Sequence, residues 1–217
     1  MSLGAIMDKD TINHKNEPFY TKAKQQGYRA RSAYKLFEIQ KKYNIFKRSF
    51  YILDIGSAPG SWLQVAKKFA EENLTKYQDR HYHREEYKIL GVDIKKVSPI
   101  EQVDTMKLDI TNPSSIIKIQ TFLEGEKFDL VLSDASIKKS GNKFSDQVRQ
   151  VKLCLKILDI LYLLKSKGNL VIKLFQGEDF KRVHRAMKAK FHFVKSYKPR
   201  ASSKKSNEIY IIGLNKK

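Results

Sequence analysis

Four short apolar runs constrain the fold more than any other feature of this chain. They are "SFYILDIG" (49–56), "YKILGVDI" (87–94), "FDLVLSDAS" (128–136) and "NLVIKLF" (169–175). Each has strand length and is apolar without strict alternation, the pattern of a strand buried on both faces. Between them lie segments of helical spacing: "SWLQVAKKFAEEN", "PSSIIKIQTFLEG", residues 145 to 166, and "GEDFKRVHRAMKAK". Pro113, preceded by Thr111 and Asn112, suits a helix start. "VDTMKLDI" reads as a further strand, and Gly168 as the turn that leads into the Lys173 strand. "FHFVKSYK" and "NEIYIIGLN" are closing strands with no helix between them, which predicts an antiparallel edge strand. Strands alternating with helices predict an α/β fold with a mostly parallel sheet covered on both faces.

A chain of 217 residues suits one core. Residues 1–26 read as a basic N-terminal arm and 27–217 as the folded domain. Within it, "GYRARSAYKLFEIQKKYN" has Ala30, Ala33, Tyr34, Phe37 and Ile39 or Tyr43 near helical spacing. Residues 73–87, "NLTKYQDRHYHREEY", are too polar for core and read as an insertion, either a loop or a helix extension with a loop. Lysine and arginine total 43 against 23 acidic residues, a net charge of +20. That excess favours a polyanionic partner, nucleic acid before membrane. The cations are spread along the chain, and no apolar run approaches the roughly 20 residues of a membrane span. The one cysteine, Cys154, forms no internal disulfide and reads as a core residue of a chain from a reducing compartment. The histidines are scattered, so no metal site is expected. "MSLGAIM" lacks the charged start and long apolar core of a secretory signal and reads as a cloning remnant before Met7. The expected location is intracellular, in the cytoplasm or an organelle such as the mitochondrion.

Lys173 is the anomaly in the fourth run. A buried ammonium is tolerable beside a carboxylate at the mouth of a cleft, and Asp134 ends the neighbouring run; the bland alternative is a lysine snorkelling to water. In "LDIGSAPGSW", Gly56 permits a tight turn and Gly60 a close backbone approach, at the strand end where such sheets bind ligands. The string is neither a GxGxxG fingerprint nor a P-loop. Asp93 and Asp109 follow the next two strands. Singly each reads as a turn or cap residue; carboxylates at successive strand ends point instead to one ligand.

The full D-x-G-x-x-P-G-x-W string resembles motif I of the FtsJ/RrmJ family of S-adenosylmethionine-dependent RNA 2'-O-ribose methyltransferases. "EPFYTKAKQQGYRARSAYKLFEI", "KLFQGEDF" and "KPRASSKKSNEIYII" extend the resemblance from about Glu17 to Lys216. It implies a Rossmann-like domain with a seven-stranded sheet. It also implies that Gly56, Gly60, Trp62, Asp93, Asp109 and Asp134 bind S-adenosyl-L-methionine, with Asp93 accepting from ribose hydroxyls and Asp109 from the adenine amino group. The family's catalytic set falls on Lys35, Asp134, Lys173 and Glu208, where Lys173 contacts the ribose 2'-oxygen as base or as stabilising cation. One departure stands out. Bacterial members read S-D-M-A-P-N after the fourth strand, and this chain reads Ser133-Asp134-Ala135-Ser136-Ile137-Lys138.

The resemblance further implies an RNA partner. Lys22, Lys24, Arg29, Arg31, Arg200, Lys204 and Lys205 are candidate phosphate contacts, and Tyr20, Tyr28 and Tyr34 candidate stacking residues, with a structural role expected for Tyr34. The C-terminal motif favours large-subunit rRNA, free or in an assembled subunit. A monomer is assumed. The alternatives are a tRNA anticodon-loop methyltransferase and a catalytically silent RNA-binding ribosome-assembly factor on the same fold.

Overall fold

The computed structural model describes residues 18–78, 84–138, 140–177, 179–203 and 206–217. Helices α1 (Pro18–Gln25) and α2 (Ser32–Tyr43) precede β1 (Tyr51–Ile55), α3 (Ser61–Lys76), β2 (Lys88–Asp93) and β3 (Asp104–Lys107). Then follow α4 (Pro113–Phe122), β4 (Phe128–Ser133), α5 (Lys143–Asp159), β5 (Leu164–Phe175), α6 (Phe180–Lys190), β6 (Phe191–Tyr197) and β7 (Glu208–Lys216). The strands form one seven-stranded sheet in the order β3-β2-β1-β4-β5-β7-β6. β1 to β5 pair in parallel, whereas β7 runs antiparallel to both β5 and β6. The expected antiparallel pairing therefore sits at that edge, with β7 slotted inside and β6 outermost.

Alternation along the central strands divides the core. Leu53, Leu90, Val131, Leu170 and Ile172 face Ile119 of α4, Cys154 and Leu158 of α5, and Val183 of α6. Ile52, Ile89, Leu130, Val171 and Ile212 face Leu36 and Ile39 of α2 and Trp62, Leu63 and Ala66 of α3. Both sheet faces are thus covered, which explains why the strand runs lack polar alternation. Asn112 caps α4 by accepting from the Ser114 N–H at 3.0 Å, ahead of Pro113 in the first turn. Among the described residues, no helix is long and apolar enough to cross a membrane.

Two boundaries differ from the sequence reading. The helix expected over 145–166 ends at Asp159, and after a 3₁₀ turn Leu164 already pairs with Phe128. Leu161, Leu163 and Leu164 are all buried, a spacing that a one-faced helix cannot satisfy. Gly168 is no turn into the strand: residues 165–168 bulge from β5, and the ladder resumes with Asn169 opposite Leu130. The polar 73–87 segment contributes more than a loop. Asn73 is buried on α3 and donates to the Phe46 and Ser49 carbonyls (2.7 and 2.9 Å), while Leu74, Tyr77 and Tyr87 pack on the core. Residues 79–83 lie outside the described residues.

Candidate active site

The period of two along β5 puts Lys173 on the same face as Val171, toward α2 and α3, and the β5–β7 register sets it opposite Tyr210. Only 7% exposed, its Nζ donates to the Asp134 backbone carbonyl at 2.5 Å and lies 3.0 Å from Asp134 Oδ1. The same carboxylate oxygen accepts the Tyr210 hydroxyl at 2.6 Å. Burial, then the charges of Asp134 and Glu208, hold the Tyr210 pKa well above its ordinary value, so the phenol stays a neutral donor. Lys35, also buried, reaches in from α2 and is ion-paired with Glu208 at the start of β7. Its Nζ sits 5.9 Å from the centroid of the Tyr210 ring. The four residues predicted as catalytic therefore meet as two lysine–carboxylate pairs joined across Tyr210. Each buried lysine is thus matched by a carboxylate that offsets part of its desolvation.

The β1–α3 turn lies at the carboxyl ends of the neighbouring strands. Gly56 adopts φ +77°, and a Cβ there would come within 2.7 Å of the Ala135 backbone, so this turn and the segment after Asp134 can close on each other only through glycine. Asp93 Oδ2 accepts the Ala58 N–H at 2.9 Å and Oδ1 accepts that of Lys95 at 2.7 Å, tying the glycine turn to the end of β2. Asp109 Oδ1 accepts from the Thr111 hydroxyl and N–H, which lower its pKa. Trp62 is buried; its indole N–H donates to the Ser32 carbonyl at 2.8 Å and its ring packs 5.7 Å from that of Tyr210. Gly60 gives its close approach to Arg29: a Cβ there would meet the guanidinium at 2.7 Å.

Asp54 opens the D-x-G-x-x-P-G-x-W string but was not among the expected site residues. It is fully buried in β1, neither oxygen has a hydrogen-bond partner among the described residues, and burial, followed by the charges of Asp134 and Asp93, raises its pKa well above the ordinary value. An orphaned acid beside Asp93 and Asp134 fits a ligand that carries positive charge, as S-adenosylmethionine does through its sulfonium and ammonium groups. Two positioning residues were missed as well. Gln150 of α5 is 1% exposed; it donates to the Ala135 and Lys173 carbonyls and accepts from the Ile137 N–H, each at 3.1 Å. It thereby secures the divergent segment after Asp134. Glu38 of α2 accepts from the Tyr197 hydroxyl and from the N–H groups of Arg200 and Ala201, anchoring the connection into β7. The only available signal was a polar residue on an apolar helix stripe. Cys154 is core as expected: burial raises its pKa to about 12, and its thiol donates to the Lys173 carbonyl.

The predicted RNA contacts separate. Arg29 is a structural clamp, its guanidinium donating to the Pro59, Ser98 and Pro99 carbonyls at 3.0, 2.6 and 2.6 Å. Tyr34 is buried against Phe19, Tyr28 and Phe37. Lys22, Lys24 and Arg200 are exposed, as is Tyr20. Lys204 and Lys205 lie outside the described residues.

A mostly parallel α/β sheet with β7 inserted antiparallel, a glycine turn after β1 and acids at successive carboxyl ends matches the architecture of a Rossmann-like methyltransferase. The chain belongs to the FtsJ-like methyltransferase family, whose model matches residues 28–216. It is 39% identical over 196 residues to ribosomal RNA large subunit methyltransferase E of Methanosarcina acetivorans, covering 90% of this chain and 66% of the relative. The enzyme of the same name from Ehrlichia chaffeensis is 36% identical, covering 92% of this chain and 88% of the relative. Among solved structures, a Plasmodium falciparum protein provisionally described as a ribosomal RNA methyltransferase superposes with a TM-score of 0.72 at 30% identity. That superposition covers 87% of this chain and 98% of the other.

Proposed function

We propose that this chain transfers a methyl group from S-adenosylmethionine to a ribose 2'-hydroxyl of large-subunit ribosomal RNA. The supporting observation is the meeting of the Lys35–Glu208 and Lys173–Asp134 pairs beside the acid-lined end of the sheet. S-adenosylmethionine, when bound, supplies an electrophilic methyl group. The Gly56–Gly60 turn and Asp93, Asp109 and Asp134 would hold it, with Asp54 as a buried acid behind them and Trp62 as packing for the wall.

The chain's own residues act on the hydroxyl. An ammonium has three donors, and Asp134 engages two of those on Lys173. The third is left for the 2'-oxygen, where it stabilises the negative charge that develops as the bond to the methyl group forms and the hydroxyl proton passes to solvent water. This pairing favours the stabilising-cation role over the base. Asp134 and Glu208 orient the two lysines, and Tyr210 fixes Asp134. Rigid placement at a strand end aligns the nucleophile, which an untethered hydroxyl cannot achieve.

The net charge of +20 and the names of the relatives support RNA, and large-subunit rRNA in particular. The silent-factor alternative draws on the altered segment after Asp134, yet Gln150 holds that segment and Asp134 keeps both its contacts. Incubating the protein with labelled S-adenosylmethionine and, separately, large-subunit rRNA, assembled subunits and tRNA tests the reading. A mapped 2'-O-methyl group on rRNA or on subunits is expected. Transfer to tRNA alone would overturn the substrate, and binding without any product would overturn the activity.

A further inference from the structure

The amino end of the sheet holds a second cleft, about 610 Å³ in volume, between the segment leading into β1, Arg84 and the 165–168 bulge of β5. Among the described residues, five cations line it: Lys47, Arg48, Arg84, Lys165 and Lys167. Against them stands one carboxylate in the lining, Asp129, which is already engaged. Its Oδ2 accepts the Phe50 and Tyr51 N–H groups and its Oδ1 lies 2.8 Å from Lys165 Nζ. Glu126 approaches Arg84 from outside at 3.8 Å, so among the described residues of the lining cations outnumber carboxylates. The Tyr51 ring underlies two of the cations, with Arg84 at 4.5 Å and Lys165 at 5.1 Å from its centroid, so these are placed and not merely solvated.

This cleft is separate from the methyl-transfer site. From Asp129 to Asp134 along β4, at about 3.3 Å per residue, the two ends stand roughly 16 Å apart. Ligands of such sheets sit at the carboxyl ends, so a cation-lined cleft at the amino end needs another explanation. A single phosphate is satisfied by one or two cations. Five, contributed by three separate stretches of chain around one open cleft, match successive phosphates of a polymer.

We propose that this cleft seats the phosphodiester backbone of the substrate RNA at a point remote from the methylated ribose. The inference rests on the RNA reading above. It makes the protein a two-point reader, with one end of the sheet acting on the ribose and the other gripping a distant part of the fold.

Lys47 and Lys167 are exposed, so Lys47→Ala combined with Lys167→Ala removes charge without opening the core. The control of equal charge is Lys118→Ala with Lys181→Ala, two exposed lysines on α4 and α6. Affinity for protein-free large-subunit rRNA is measured for each across a series of salt concentrations, together with methyl transfer at saturating RNA. The cleft pair is expected to bind about tenfold more weakly than the control, with a log–log salt slope shallower by about 1.4 to 1.8. Affinity for S-adenosylmethionine and the maximal methylation rate stay unchanged. A cleft pair that tracks the control in affinity and slope while the parent still methylates rRNA overturns this inference alone. A parent that neither binds nor methylates rRNA overturns it together with the functional reading.

Discussion

Asp129 and Asp134 stand at the two ends of β4, and the same side chain serves different physics at each. At the amino end, Asp129 accepts two backbone N–H groups and a lysine, which fixes the entry into β1. At the carboxyl end, Asp134 receives only side chains on its carboxylate: Tyr210 and Lys173 share Oδ1, and Oδ2 has no partner among the described residues. The lysines differ in parallel. Lys173 is buried, whereas Lys165 and Lys167 rim an open cleft. A carboxylate saturated by backbone stabilises the fold, and one with capacity left over at a strand end is available for chemistry.

Asp134→Asn should sharpen that contrast most. It removes the anion that orients Lys173 but keeps the shape, so methyl transfer is expected to fall about 10² to 10³-fold in single-turnover assays. Thermal unfolding should show the fold retained. Asp129→Ala should do the reverse. It leaves the N–H groups of Phe50 and Tyr51 unmatched, and denaturant unfolding should register a loss of about 2–4 kcal/mol. The maximal methylation rate of the folded fraction should change by less than about twofold. Equal losses of rate in the two variants would break the comparison.

Asp54 extends it to pH. Because its folded pKa is raised, the folded state binds more protons than the unfolded chain once pH exceeds the ordinary value of 3.8. Its contribution is present below that pH and is lost on going upward, at about 1.4 kcal/mol per pH unit until the folded pKa is passed. Asp54→Asn removes the slope. In melts without cofactor, the variant should exceed the parent at about pH 8 and converge with it near pH 4. The smallest effect is expected for Tyr210→Phe, which deletes one hydrogen bond to Asp134 worth about 1–2 kcal/mol. A fall in rate of about tenfold with unchanged affinity for S-adenosylmethionine is the expected reading.

Legibility in the sequence followed the same division. The strand runs and the covered parallel sheet could be read because burial on both faces leaves an unbroken apolar signature. Lys173 stood out by violating it. Lys35 and Glu208 carried no such mark; a basic helix face and a strand-edge charge look alike whether solvated or buried, and only the family resemblance singled them out. Gln150 and Glu38 act through side-chain bonds to distant backbone, which no local spacing encodes. The helix end was misplaced because "LDILYLLKSKG" continues an apolar periodicity past Asp159, where β4 pairing captures Leu164 instead. The bulge at 165–168 also hid the amino-end cleft, since Lys165 fell inside the expected helix and Lys167 just past its end.

The central claim is that Lys173, held by Asp134, acts on the ribose hydroxyl. It is tested most directly by Lys173→Ala, with calorimetric S-adenosylmethionine binding and mapped 2'-O-methylation of large-subunit rRNA followed on the same preparation. The account predicts cofactor affinity within about threefold of the parent and a loss of methylation of at least about 10³-fold. Methylation near the parental rate in a variant that binds cofactor normally would contradict it.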